Sequence, residues 1–455
     1  GRGVDMIVGP AGSGKSYVVA KLAEVWRERT QTPVVGLALA QNAANVLQNE
    51  GLDSAYNIEK WLHLIESGQT RVVPGQLIVV DEYSMVGNHL LGKIQALATK
   101  ANAKIVWAGD HEQLPAPAAG GMGRYLSKVG GAYELTEVAR FTEQWERDAS
   151  LQLRDGRPEA LREYDKRGRL FAGTRDDVQA QALRSYLADL LAGRNTLLLT
   201  STNEAAAELS ARVRAELVEV GRVEADGVTL ADTNVAGVGD LIMARANERT
   251  ISVGGRERAL TNRDVLQVVE TREDGSIKAA LWGTQDEEEP TYAILPKEYV
   301  AEHVELGYAG TAHAAQGRTV DTCHGIVDES TTRQMWYVLM TRAREGNYAY
   351  AVAERERIAD LRTGPEQSEE EVTRQRQAAA RERGELRSEV EFIDGEVDPN
   401  QPQDAAAQRR QEAQQRQALD QQRLGVFTSV LARDGADQTG IEAMYAEFER
   451  ARHSA

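Results

Sequence analysis

At 455 residues the chain exceeds one ordinary domain, and at about 150 residues per domain it has room for roughly three. Lys and Arg total 53 against 70 Asp and Glu, a net charge of −17, and 42% hydrophobic residues supply more than one core. No apolar run approaches the ~20 residues of a membrane span, and the single cysteine, Cys323, excludes a disulfide framework or a Cys-based zinc cluster.

The acidic balance argues against a uniformly basic nucleic-acid binder, yet leaves room for a groove with its own basic lining. No signal-peptide pattern opens the chain, which reads as a cytoplasmic protein. The sequence starts Gly1-Arg2-Gly3 and enters an apolar strand pattern at once, as a piece of a longer polypeptide would.

Short strands are expected at Met6–Val8, Val34–Ala40, Leu77–Val80 and Lys104–Ala108, each followed by turn residues and helical periodicity. That alternation predicts an α/β domain over 1–142, a parallel sheet covered by helices. A polar helical connector is expected over 143–195. A second α/β unit covers 196–227, with a strand at Thr196–Thr200, and resumes over 305–363. Between its halves, Asp-Gly and Gly-Gly turns separate β-rich runs, which predicts a small antiparallel barrel or hairpin domain inserted over 228–304. Residues 364–423 read as a polar, charged linker of solvated helix or disorder. Over 424–455, Leu424, Phe427, Val430 and Leu431, then Ile441, Met444, Tyr445 and Phe448, fall at the spacing of two short docking helices.

The segment Gly9-Pro10-Ala11-Gly12-Ser13-Gly14-Lys15-Ser16 fits the phosphate-binding loop G-x-x-x-x-G-K-[ST] between an expected strand and helix. Gly9, Gly12 and Gly14 let backbone N–H groups face phosphates, Lys15 reaches the β- and γ-phosphates, and the Ser16 hydroxyl can bind Mg²⁺. The bland alternative is a glycine-rich turn with a chance Lys-Ser. The strand Leu77–Val80 runs into two carboxylates, placing Asp81 toward the metal and Glu82 beside the attacking water. Alone, such a pair is usually a solvated strand end. Within Gly109–Pro115, the Gln113 amide can sense the γ-phosphate or position water, although the segment by itself is a turn before a proline. His111 reads as a surface residue, since no Cys or His lies at metal spacing.

Arg140 and Arg342 each lie beside an expected α/β unit. A cationic fork across the nucleotide is worth roughly 10³–10⁵ in rate, whereas most single arginines are surface residues. Gly307–Thr319 is dense in small and hydroxylic residues. That suits a strand-to-helix turn approaching a phosphodiester chain, or a tightly packed core turn.

Together, Gly9–Ser16, Asp81-Glu82, Gly109–Pro115, Arg140, Gly307–Thr319 and Tyr337–Arg344 resemble, in order, the motifs of superfamily 1 helicases over about residues 4–353. The segments DEYSMV, GDHEQLPA, GYAGTAHAAQGRTVD and YVLMTRAREGNYAYAV are most similar to the 5′→3′ branch, above all the helicase region of MobF-family conjugative relaxases. The resemblance implies two RecA-like domains with ATP and Mg²⁺ in the cleft between them and single-stranded DNA across their top. It also implies that the β-rich insertion is an SH3-like barrel.

By the same resemblance, Lys15 and Ser16 hold phosphates and Mg²⁺, Asp81 coordinates the metal, Glu82 activates water and Gln113 couples nucleotide to DNA. Arg140 and Arg342 contact the γ-phosphate, and Gln316 and Gly317 lie near the nucleotide. Thr311, His313 and Thr319 fall in a motif that touches the DNA backbone. Gln41 and Asn42 stand where the first DNA-contacting motif usually has Pro-Thr, and Asn57 stands for a later Thr. The family's adenine-contacting glutamine would precede Gly1, which implies reduced nucleotide affinity. Little sequence separates Asn57 from Asp81, so no large strand-separating pin fits there and translocation is better supported than unwinding. The implied protein is a monomeric motor, with its C-terminal tail recruiting conjugation machinery.

A RecD-like repair or recombination helicase is the alternative within the family. A non-hydrolysing single-stranded DNA-binding module is the alternative outside it, disfavoured because Lys15, Asp81, Glu82 and Arg342 are all present. Trp61, Tyr125 and Trp282 are candidate aromatics for base stacking, each also suited to packing.

Overall fold

The computed structural model describes residues 4–116, 121–254, 258–282, 290–353, 421 and 423–435. Its first domain is a six-stranded parallel sheet in the order Ser54–Asn57, Val34–Ala38, Leu77–Val80, Lys104–Gly109, Val4–Val8 and Tyr133–Glu134. Every residue of Val34–Ala38 and Leu77–Val80 is buried. Helices cover both faces, so these strands are continuous apolar runs rather than alternating ones.

The second domain is a five-stranded parallel sheet in the order Ala309–Thr311, Thr196–Thr200, Val320–Val327, Ala343–Val352 and Leu170–Gly173. Two parallel-sheet α/β domains of the RecA-like kind therefore make up most of the described chain. Threonines start several helices of the second domain: Thr174, Thr202 and Thr332 each accept a backbone N–H from three residues on, as favoured N-caps do.

Residues 143–195, read as a helical connector, carry three helices, Gln144–Arg154, Glu159–Asp165 and Arg175–Leu191. They also supply an edge strand of the second sheet, Leu170–Gly173, which pairs with Ala343–Val352. That strand is four residues long and ends in glycine, too short for an alternation to show. The second domain thus begins inside the segment expected as a helical connector.

Between the two halves of the second domain lies a five-stranded antiparallel sheet. Its order is Tyr292–Leu295, Ile277–Leu281, Val265–Thr271, Leu241–Ala244 and Val304–Leu306. The edge strand Tyr292–Leu295 alternates exposed and buried residues, as a strand with one solvated face does. A hairpin, Glu248–Ser252 with Ala259–Leu260, projects from it.

The helix over 423–431 docks on the second domain. Phe427 is fully buried and stacks on Trp336 with ring centroids 5.2 Å apart, and Arg423 pairs with Asp165 at 2.7 Å. Residues 364–420 of the expected linker and the segment expected as a helix through Ile441–Phe448 lie outside the described residues. Among the described residues no helix is long and apolar enough to cross a membrane.

Candidate active site

The chemistry-bearing residues converge where strands of the two domains end. The Val4–Val8 strand runs into the glycine-rich loop, and the helix Lys15–Thr30 starts from Gly14, which is left-handed at φ 78 and gives no side-chain cap. The N–H groups of Lys15, Ser16 and Tyr17 have no partner among the described residues and can meet an anion. Gly12 is also left-handed, at φ +76, and a Cβ there would lie 2.4 Å from the Arg140 Cβ. The close approach is sealed by a bond from Ala139 N–H to the Gly12 carbonyl, 2.9 Å. Lys15 Nζ folds over the loop, donating to the carbonyls of Gly9 at 2.8 Å and Pro10 at 3.0 Å.

Asp81 and Glu82 follow the neighbouring Leu77–Val80 strand. Burial, then the adjacent Glu82 carboxylate, push Asp81 up to about 7. Glu82 adopts a left-handed backbone at φ 49, a sparsely populated conformation that non-glycine residues hold mainly where the surroundings enforce it. Its Oε2 accepts from Gln316 Nε2 of the second domain at 3.1 Å, and Gln316 Oε1 is buried with no partner among the described residues.

Two guanidinium groups face these carboxylates. Arg140 donates to the Thr341 carbonyl across the domain boundary. Burial, and then Arg342, pull its guanidinium down to about 9. Arg342 is 2% exposed and bonded only to neutral oxygens among the described residues, Val338 O at 2.9 Å and Thr341 Oγ1 at 3.1 Å. Burial lowers its affinity for a proton, while the Glu82 charge opposes that shift. A buried and a half-buried cation, with no carboxylate in hydrogen-bond contact among the described residues, form a site suited to a polyanion.

Together these groups line a cavity of about 820 Å³, which also takes in Gln113, Gly317, His313 and Thr319. The buried Gln113 reaches Asp110 through Nε2 at 3.4 Å.

A family model described as an AAA domain matches residues 1–175. Over 353 residues the chain is 31% identical to a probable conjugal transfer protein TraA of Sinorhizobium fredii, a match spanning 74% of this chain and 30% of that protein. Over 430 residues it is 24% identical to the multifunctional conjugation protein TraI of Escherichia coli, spanning 81% of this chain and 23% of TraI. The chain is thus similar in sequence to part of conjugal transfer proteins of the TraA and TraI kind. The chain spans about 30% of the length of the first curated relatives it matches. A crystal structure of the Pif1 helicase from Candida albicans aligns over 83% of this chain and 96% of that one, with 16% identity and a TM-score of 0.49.

The residues expected to touch DNA divide. Gln41, Asn57, His313 and Thr319 line the main cavity, and Gln41 and Asn57 also line a second one of about 400 Å³. Asn57 caps the helix Ile58–Glu66, accepting from Glu59 N–H and Lys60 N–H. The Thr311 hydroxyl caps its own helix by accepting from Ala314 N–H at 3.3 Å. The side chain of Asn42 lies outside the described residues. Trp61 is buried at 3% exposure and packs in the first core.

Other participants carried no sequence signal. The insertion brings Asn247 and Arg263 to the main cavity, and Arg263 Nη1 bonds the His313 carbonyl at 3.1 Å. The second cavity lies between Tyr56 and Lys60 of the first domain and Arg249 and Arg258 of the inserted hairpin.

Proposed function

We propose that this chain is an ATP-driven 5′→3′ motor on single-stranded DNA, the helicase part of a conjugative relaxase in plasmid transfer. The observation that carries the reading is the convergence of phosphate loop, paired carboxylates and two arginines on one interdomain cavity. The geometry is suited to hydrolysis there. Lys15 and the first-turn amides hold the phosphates, Glu82 takes a proton from the attacking water, and Arg140 and Arg342 offset the charge that develops on the γ-phosphoryl oxygens.

Mg²⁺ fits the donor set, because a hydroxyl and one carboxylate, Ser16 and Asp81, suit an ion that takes its other ligands from phosphate and water. Among the described residues there is no cluster of three or more His, Cys, Asp or Glu to cage a metal. When bound, the ion would neutralise phosphate charge.

Because Arg140 and Gln316 each bond across the domain boundary and Arg342 lines the cavity from the second domain, loss of the γ-phosphate would loosen the domain contact. Alternating closure and opening would then move a strand held across both domains. The basic rim at Lys60, Arg249 and Arg258 is a suitable bed for that strand, with the inserted antiparallel sheet serving as the SH3-like module of this branch. Such a motor would work in the cytoplasm as a monomer, and its C-terminal residues would meet the conjugation machinery.

The test is displacement of streptavidin from biotinylated single strands in the presence of ATP. A 5′→3′ motor clears streptavidin from the 3′ end and leaves it on the 5′ end. The opposite bias would reverse the assigned polarity, and no displacement from either end would remove translocation.

A further inference from the structure

Behind the nucleotide cavity lies a buried polar cluster that the catalytic chemistry leaves unused. Asp110, 0% exposed, ends the Lys104–Gly109 strand of the first domain, and Arg154 clamps its carboxylate through Nη2 at 2.9 Å and Nε at 3.1 Å. The same carboxylate accepts the Glu112 backbone N–H at 3.2 Å, Gln113 Nε2 at 3.4 Å and the Tyr337 hydroxyl at 3.3 Å. Tyr337, 1% exposed, comes from the second domain, on the helix Arg333–Leu339 that leads into Arg342. Its hydroxyl oxygen accepts the N–H of Ala11, inside the phosphate loop, at 2.9 Å.

The proton arrangement follows from elementary chemistry. A carboxylate paired with a guanidinium is an acceptor only, so the single Tyr337 proton points at Asp110. The hydroxyl lone pairs then face the Ala11 N–H, which has a donor and nothing to accept. One oxygen thus satisfies a buried amide of the loop and a buried carboxylate beside Gln113, and it belongs to the other domain. If the second domain shifts away, both groups lose a partner in a site with little access to water. One turn earlier on the same helix, Arg333 reaches Glu112 at 3.4 Å, so the helix is keyed to this loop at positions four apart.

We propose that Tyr337 is a positioning residue whose hydroxyl couples the seating of the second domain to the shape of the phosphate loop. It touches no reacting atom. It sets the outer turn of the loop, so that the inner amides and Lys15 grip phosphate best when the domains are docked. The inference rests on the reading of the cavity as a nucleotide site.

The experiment is Tyr337→Phe in the 455-residue chain, which removes one oxygen and keeps the ring. MgADP affinity is measured by calorimetry, and KM and kcat for ATP with saturating single-stranded DNA. Loss of this bond should weaken MgADP binding and raise the KM by about 5–30-fold. The kcat should change by less than about twofold, as removal of uniform binding requires. A purely structural role would lower the melting temperature and leave the MgADP affinity of the folded protein at the parent's value, and that result overturns the proposal.

Asp110→Asn provides a second line should the tyrosine variant fold poorly. It too should raise the KM, and in the double variant the combined effect should be smaller than the sum of the two, since they share the Tyr337–Asp110 bond while Asp110 also holds Arg154. An unchanged KM in Asp110→Asn, or full additivity, overturns the proposal. If the parent chain binds no MgADP, the nucleotide reading falls and the inference with it. If the parent binds and the variants match it, the inference alone falls.

Discussion

Gln316 of the second domain donates through Nε2 to Glu82 Oε2 of the first at 3.1 Å, so the candidate general base is held by the domain opposite its own. Glu82 is also kept in a left-handed backbone at φ 49. Both features fix one carboxylate at the mouth of the cavity. Glu82→Gln keeps the shape and removes the base. Its ATPase kcat should fall by roughly 10²–10⁴-fold, while MgADP affinity stays within about twofold of the parent. A kcat equal to the parent's would remove Glu82 from this role.

Arg342 is fully buried yet has no carboxylate in contact among the described residues. That placement makes sense when a phosphoryl group supplies the missing anion. Arg342→Lys keeps a positive charge but loses the planar fork. ATP turnover should drop by roughly 10³-fold or more, as for arginine fingers. Rates of the lysine variant close to the parent's would show that the guanidinium does not reach the transferring group.

Much of the fold was legible because its signals are local. Four of the six strands of the first domain are short apolar runs next to a turn, while Ser54–Asn57 and the exposed Tyr133–Glu134 carry no such signal, and the glycine-rich loop and the Asp81-Glu82 pair sit on contiguous segments. Relationships across the chain were not legible. Gln316 and Glu82 lie 234 positions apart and Tyr337 and Asp110 lie 227 apart, and nothing in residue type declares such a pairing. Leu170–Gly173 escaped because four residues that end in glycine show no period. Phe427 and its neighbours did announce a buried helical face, while the surface they pack on, around Trp336, emerged only in three dimensions.

The exposed cations Lys60 and Arg249 flank the second cavity from opposite domains. If a strand lies there, each neutralises phosphate charge. Lys60→Ala and Arg249→Ala should each weaken single-stranded DNA binding and reduce the slope of log affinity against log salt by about 0.7. A slope unchanged in both variants would move the strand elsewhere.

Glu146 is buried, with Oε1 accepting from Asn347 Nδ2 at 2.9 Å and Oε2 without a partner among the described residues. Burial pushes its carboxyl up to about 7. The folded protein therefore holds a proton that the unfolded chain releases near pH 4.5, and stability contributed by this group falls as pH rises from there to about 7. Glu146→Gln stays neutral throughout. Its melting temperature relative to the parent should rise between pH 5 and pH 8, and a pH-independent difference would contradict the shift.

The most direct measurement is Mg²⁺-dependent ATP hydrolysis by the 455-residue chain, with and without single-stranded DNA, at two salt concentrations. The expected result is slow hydrolysis alone, strong stimulation by DNA, and weaker stimulation at high salt as phosphate contacts are screened. Hydrolysis indifferent to DNA, or salt-sensitive DNA binding with no hydrolysis, would contradict a DNA-coupled motor.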